Sequence, residues 1–145
     1  MEEKTVSLSP LPELTMGQAV KNVWNRYATF RGRARRSEYW WWTLAVILGE
    51  IVSAVIDVST GLNYPGLPYG AVYSLFALAV FIPGLAVLFR RLHDTGRSGW
   101  NILWVLIPLV GSIVLIVFCC FDSDPYTNAY GASPKYPEAE TPVEA

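Results

Sequence analysis

Charge is what this 145-residue chain has little of: Asp, Glu, Lys and Arg make up 16% of it, against about 25% in an ordinary soluble domain. Two long stretches, 70–89 and 101–121, hold no charged residue at all, and residues 59–69 hold no Lys or Arg. Cysteine is nearly absent. Cys119 and Cys120 are the two present, and they are adjacent. That spacing excludes a disulfide framework and offers no metal-ligand pattern, and the pair is read as apolar residues at a helix end. No metal cluster, serine nucleophile motif or phosphate loop is visible. The expectation is a chain without metal, without cofactor and without enzymatic activity. The first fourteen residues are acidic and broken by Pro10 and Pro12. They lack an apolar core, so no cleavable signal peptide is expected.

What is abundant is apolar sequence, 52% of the chain, gathered into runs. Tyr39–Val58, Gly70–Phe89 and Asn101–Phe121 each have about the twenty residues needed to cross a bilayer. The fold class expected is therefore an all-α membrane protein with three transmembrane helices. Before them Thr15 and Gln18 form a capping-box pattern, and Val20, Val23, Trp24 and Tyr27 share one helical face. Residues 15–28 are expected as an amphipathic helix lying on the membrane surface. The membrane domain would then run over 15–121. Residues 1–14 would form a disordered lead, and 122–145 a flexible acidic tail.

Charge is unevenly spread. Residues 1–20 sum to −2, residues 21–100 to +5 and residues 101–145 to −4. Lys21, Arg26, Arg31, Arg33, Arg35 and Arg36 precede the first run, and Arg90, Arg91 and Arg97 lie between the second and third. Positively charged segments stay cytoplasmic. With three crossings this puts the N-terminus inside, residues 59–69 outside, residues 90–100 inside and the tail outside.

Residues 30–42 read FRGRARRSEYWWW. Arginine beside clustered Trp and Tyr suits a membrane interface, where guanidinium meets phosphate and indole sits at head-group depth. Arg31, Arg33, Arg35, Arg36, Arg90, Arg91 and Arg97 are thus candidate contacts for anionic lipid or another anion. A nucleic-acid partner is not expected, because an apolar span begins directly after the motif. Within the first run Glu50, Ser53 and Asp57 share a helical face. An acid at the centre of a span costs about 2.5–3.5 kcal/mol unless it faces protein or water. Pro83 and Pro108 lie at similar distances from the 90–100 turn, so both helices should be kinked or loosened there. Ordinary bundle packing accounts for that better than a cavity does.

Residues 89–100 read FRRLHDTGRSGW. His93 with nearby arginines could in principle act on a lipid phosphate. Adjacent helical residues point about 100° apart, however, so His93 and Asp94 are not expected to form a pair unless the turn bends them. The preferred reading is that His93, Asp94, Gly96 and Gly99 shape the turn, with Asp94 or Glu38 pairing arginines of the other motif. Asp122, Asp124 and Asn128 resemble the start of a calcium loop, but its glycine and distal glutamate are missing.

The two arginine motifs occur in order, followed by an apolar run with a central proline and a short Asp/Asn/Gly/Pro tail. Together, over residues 20–134, they resemble the domain of unknown function 805 family of small bacterial inner-membrane proteins. The tail departs from the family pattern at Ala132-Ser133, where its first proline would stand. The resemblance implies a multi-pass inner-membrane protein and supplies no catalytic residue. Two functional classes follow: a membrane scaffold or interaction module holding anionic lipid or an acidic partner, or an oligomeric transporter or channel using Glu50 and Asp57. Self-association or a membrane-protein partner is compatible with either.

Overall fold

The computed structural model describes residues 9–137. Four α-helices and one 3-10 helix make up its regular structure: α1 Met16–Asn25, α2 Arg36–Thr60, α3 Ala71–Asp94, the 3-10 helix Gly99–Leu106 and α4 Val110–Cys120. Helix α1 starts where the capping box places it. The Thr15 side chain accepts from Gln18 N–H, and the Gln18 side chain accepts from Thr15 N–H at 3.0 Å. Its inner face meets protein rather than lipid. Ala19 and Val23 are buried, and Val23 packs in one cluster with Ala34, Trp42 and Val87. The helix is amphipathic as expected, with its apolar face packed on protein and Trp24, 51% exposed, facing outward.

Helices α2 and α3 are antiparallel partners and the only two described helices long and apolar enough to span a bilayer. At 25 and 24 residues they measure about 37 and 36 Å, against about 30 Å of hydrocarbon. Only 11% and 22% of their most apolar windows are buried. A soluble core helix would be buried nearly throughout, so these surfaces are built for an apolar solvent. Aromatic residues collect at both ends of the pair: Trp40 and Trp41 at one, Tyr64, Tyr69 and Tyr73 at the other. That is the two-belt pattern of a membrane-spanning unit.

Both helices outrun their apolar segments. Helix α3 continues through Arg90, Arg91, His93 and Asp94 because these polar side chains find partners inside the protein. It ends at Thr95, and Gly96 takes the left-handed conformation (φ 74°) that turns the chain. Pro83 sits within α3 without ending it.

The third run is not the continuous crossing expected over 101–121. Pro108 has no N–H and pushes Ile107 into an extended conformation (φ −92°, ψ 108°). Leu109 then adopts a positive φ of 62° and reverses the path. The 3-10 helix and α4 lie against each other so closely that a Cβ on Gly111 would run into the Trp104 carbonyl. Both ends of the run come to one end of α3. Gly99 sits under the Phe89 ring, and the Cys119 carbonyl accepts from Arg91 Nε at 3.2 Å.

Residues 122–137 are also not a free tail. Their backbone is hydrogen-bonded to the arginine end of α2 and α3, as described below. Residues 138–145 of the expected acidic tail and residues 1–8 of the expected lead lie outside the described residues.

Gly111→Ala should therefore lower the unfolding midpoint in detergent, with an overpacking cost of about 1–3 kcal/mol. Gly17→Ala, which meets nothing within 4 Å, should leave the midpoint unchanged or raised.

Candidate functional site

The two arginine motifs meet at one end of the α2–α3 pair, around Asp94. Its carboxylate is fully buried and serves two guanidinium groups. Oδ1 accepts from Arg33 Nε at 3.0 Å; Oδ2 accepts from Arg91 Nη1 and from Ser123 Oγ, the latter at 2.6 Å. A guanidinium has five N–H donors. Those of Arg33 reach Asp94 Oδ1 and the carbonyls of Asp94, Asp124, Tyr126 and Gly131. Arg33 has no donor left for a ligand. Arg91 bonds the carbonyls of Ala34, Cys119 and Phe121 besides Asp94. One carboxylate thus ties the loop before α2, the end of α3, the end of α4 and residues 122–131 together.

A second buried pair lies beside it. Arg90 Nη1 donates to Glu38 Oε1 at 2.6 Å, joining α3 to the first turn of α2. Arg90 Nε and Nη2 are buried and have no partner among the described residues. Arg35, 5% exposed, binds the carbonyls of Leu11 and Pro12 and lies 3.4 Å from the Glu13 carboxylate. Four of the seven arginines expected to meet lipid, namely Arg33, Arg35, Arg90 and Arg91, therefore point inward. Arg31 and Arg36 are exposed. Arg36 lies 3.5 Å from Asp122, and Arg97 rests its guanidinium on the rings of Phe118 and Phe121, 4.3 and 4.8 Å from their centroids.

The turn-shaping residues divide by role. His93 donates from Nδ1 to the Gly32 carbonyl at 3.2 Å and stacks on Tyr130 with centroids 3.9 Å apart. It makes no hydrogen bond to Asp94, and only 9% of the residue is exposed. Gly96 supplies the positive φ, and Gly99 admits the Phe89 ring.

The three polar residues of the first run also separate. Asp57 is buried and caps α3: Oδ2 accepts from Gly70 and Tyr73 N–H at 2.8 and 2.9 Å, and Oδ1 from Val72 N–H at 2.9 Å. A carboxylate bonded to the first amides of a helix also meets the positive end of its dipole. Ser53 bonds back to the Gly49 carbonyl at 2.8 Å. Neither is free to line a pathway. Glu50 is half-buried and joins no salt bridge among the described residues.

The partners that sequence reasoning missed are Ser123, Asp124, Tyr126, Asn128 and Gly131. They act mainly through backbone groups, which leave no side-chain signature. Lys135 closes the tail by donating to Asp122 Oδ1 and Oδ2 at 2.9 and 2.7 Å. The Asp122 bond raises Lys135 above the ordinary lysine range. Partial burial pushes the Asp122 carboxyl up, but Lys135, the Ser123 N–H and Arg36 outweigh it and hold it below the usual carboxylate range.

Beside this clasp an open groove of about 630 Å³ runs from Arg36, Ser37 and Glu13 to Trp40, Trp41, Leu44 and Cys120. It is polar at one end and apolar along the other.

The model of the family described as "Protein of unknown function (DUF805)" matches residues 27–132, which take in both motifs and the docked tail. The chain belongs to this family. It is similar to inner membrane protein YhaH of Escherichia coli strain K12, at 42% identity over 113 residues, covering 78% of this chain and 93% of that protein. It is also similar to inner membrane protein YhaI of the same strain, at 45% identity over 116 residues, covering 79% and 93%. No solved structure matches it. The matched region starts after α1 and stops within the tail that Arg33 holds.

Asp94→Asn leaves two buried guanidinium groups without a counter-charge. It should cost about 3–5 kcal/mol of stability in detergent, the range for a broken buried pair, while Arg31→Ala should stay within about 0.5 kcal/mol. The tail has its own pH window. The Asp122 contribution is complete above about pH 4, the unfolded aspartate value, and is lost as pH falls through the lowered folded value. The Lys135 contribution is complete below about pH 10 and is lost as pH rises through the raised one. With Cys120 replaced by Ser, a fluorophore on Ala132→Cys should report constant packing from about pH 5 to 9 and partial loosening in stronger acid, as the Asp122 contacts are lost.

Proposed function

We propose that this protein is a non-enzymatic scaffold or interaction module of the bacterial inner membrane. In this reading it holds anionic phospholipid at its arginine-bearing end. Helices α2 and α3 cross the bilayer, and the N-terminal side is cytoplasmic by the positive-inside bias. The names of the two Escherichia coli relatives support the inner-membrane location.

The observation that carries the lipid reading is the groove beside the clasp. Arg36 and Ser37 stand at its polar end, where a phosphate oxygen would take a charge-assisted hydrogen bond. Trp40, Trp41 and Leu44 continue along α2 toward hydrocarbon, in the direction an acyl chain would run. Arg31 and Arg97, with Lys21 and Arg26 on and beside α1, supply further positive charge. The inward arginines play a different part, holding the shape on which the outer ones are displayed. A partner protein's acidic segment would meet the same exposed charges.

The transporter or channel reading is weakened because Asp57 is committed to capping α3. It retains Glu50, an acid within the first span that lacks an ion-pair partner in the described chain. Glu50→Gln should abolish proton or ion coupling if that reading holds, and leave lipid binding intact if the scaffold reading holds.

Native mass spectrometry of the protein released from nanodiscs should show retention of phosphatidylglycerol or cardiolipin over phosphatidylcholine, weakened by salt. Arg31→Ala with Arg36→Ala should reduce that retention by roughly fivefold per arginine, since each surface arginine contributes about 1 kcal/mol toward an anionic surface. Equal retention of neutral lipid at low salt would sink the reading.

A further inference from the structure

We infer that residues 99–121 form a re-entrant hairpin that enters and leaves the bilayer from the arginine side. The segment after it is thereby on the same side as the loop before α2, and the hairpin's interaction surface is the hydrocarbon of a single leaflet.

The argument begins with lengths. The 3-10 helix has 8 residues and α4 has 11. At about 2.0 and 1.5 Å per residue, each leg is about 16 Å long, half of the roughly 30 Å of hydrocarbon. Stretched into one α-helix, the same residues would separate their ends by about 30 Å. Instead both ends reach one turn of α3. The Phe89 ring covers Gly99, while Arg91 binds the carbonyls of Cys119 and Phe121. The segment that follows is held there too, because Arg33 takes the carbonyls of Asp124, Tyr126 and Gly131.

The turn itself is suited to hydrocarbon. Unpaired backbone polar groups are costly inside a bilayer, so a turn there needs most of them satisfied within the protein. At the tip the carbonyls of Trp104, Ile107, Pro108 and Leu109 accept the N–H groups of Ile107, Gly111, Val110 and Ile113. Pro108 has no N–H to strand. The side chains around the tip are apolar and open: Leu106 is 74% exposed, Leu109 81% and Ile113 60%. No charged residue occurs from 101 to 121. A water-facing surface would not be built this way, and the length of each leg confines the hairpin to one leaflet.

The test compares the side of the C-terminus with the side of the α2–α3 loop in intact cells. Full-length protein is fused at its C-terminus to green fluorescent protein, which fluoresces only in the cytoplasm, or to alkaline phosphatase, which is active only outside it. In parallel, Tyr64→Cys, in the exposed loop, is challenged with a membrane-impermeant maleimide, with the unsubstituted protein as the blank. The expected result is a fluorescent C-terminal fusion, a silent phosphatase fusion and a Tyr64→Cys that labels from outside. A phosphatase-active C-terminus together with an unlabelled Tyr64→Cys would also support the hairpin, with the whole protein inverted. C-terminus and loop on the same side would overturn it and restore a third crossing. None of these outcomes depends on which lipid the protein retains.

Discussion

The Asp94 carboxylate is the point on which the fold turns. It is fully buried and shared by Arg33 and Arg91. Removing such groups from water costs several kcal/mol per ion, and attraction offsets that only when the remaining donors are also satisfied. Here they nearly all are, by backbone carbonyls from four separate segments. The consequence is geometric. Carbonyls can be brought to a guanidinium only if their segments lie at the right depth and angle, so the ion cluster fixes where residues 32–34, the end of α4 and residues 124–131 must sit. The greasy surfaces of α2, α3 and the third run could slide against one another at little cost in lipid. The cluster cannot, and it gives the bundle its register.

The opposite end of the α2–α3 pair uses the same device in smaller form. Asp57 of α2 holds three amides at the start of α3. An acid from one helix caps the next, so the loop 61–70 is fixed without any cation. This arrangement explains why the loop can be free of Lys and Arg and still be ordered. Asp57 thus stands at one end of the pair, and Asp94 with Glu38 at the other. Glu50, between them, is the acid whose place the fold does not explain.

Much of this is legible in the sequence, for reasons that can be named. The α1 capping box is visible because it depends on two side chains three residues apart. The long apolar runs are visible because burial in lipid requires composition, not periodicity. Pairing of Glu38 and Asp94 with arginines of the other motif follows from the cost of leaving charges alone in an apolar setting. The third run reads as one continuous helix from its composition; the information that interrupts it lies in a single Pro108 and in the small size of Gly111. Pro83, equally central in its run, leaves α3 unbroken, so proline alone does not decide the matter. The tail misleads because what Arg33 binds in it is carbonyl, and a carbonyl is the same at every residue.

The fate of the arginines bears on function. Arginine clustered with tryptophan at the edge of a span suggests head-group contact, and for Arg31 and Arg36 exposure permits it. Arg33, Arg90 and Arg91 belong to the same motifs yet face inward. The arginines of the motifs therefore divide: Arg33, Arg35, Arg90 and Arg91 tie segments together, and Arg31 and Arg36 face outward. Arg36 stands near Asp122 of the docked tail and at the mouth of the apolar groove. A ligand drawn to Arg36 would compete with Asp122 for the same guanidinium.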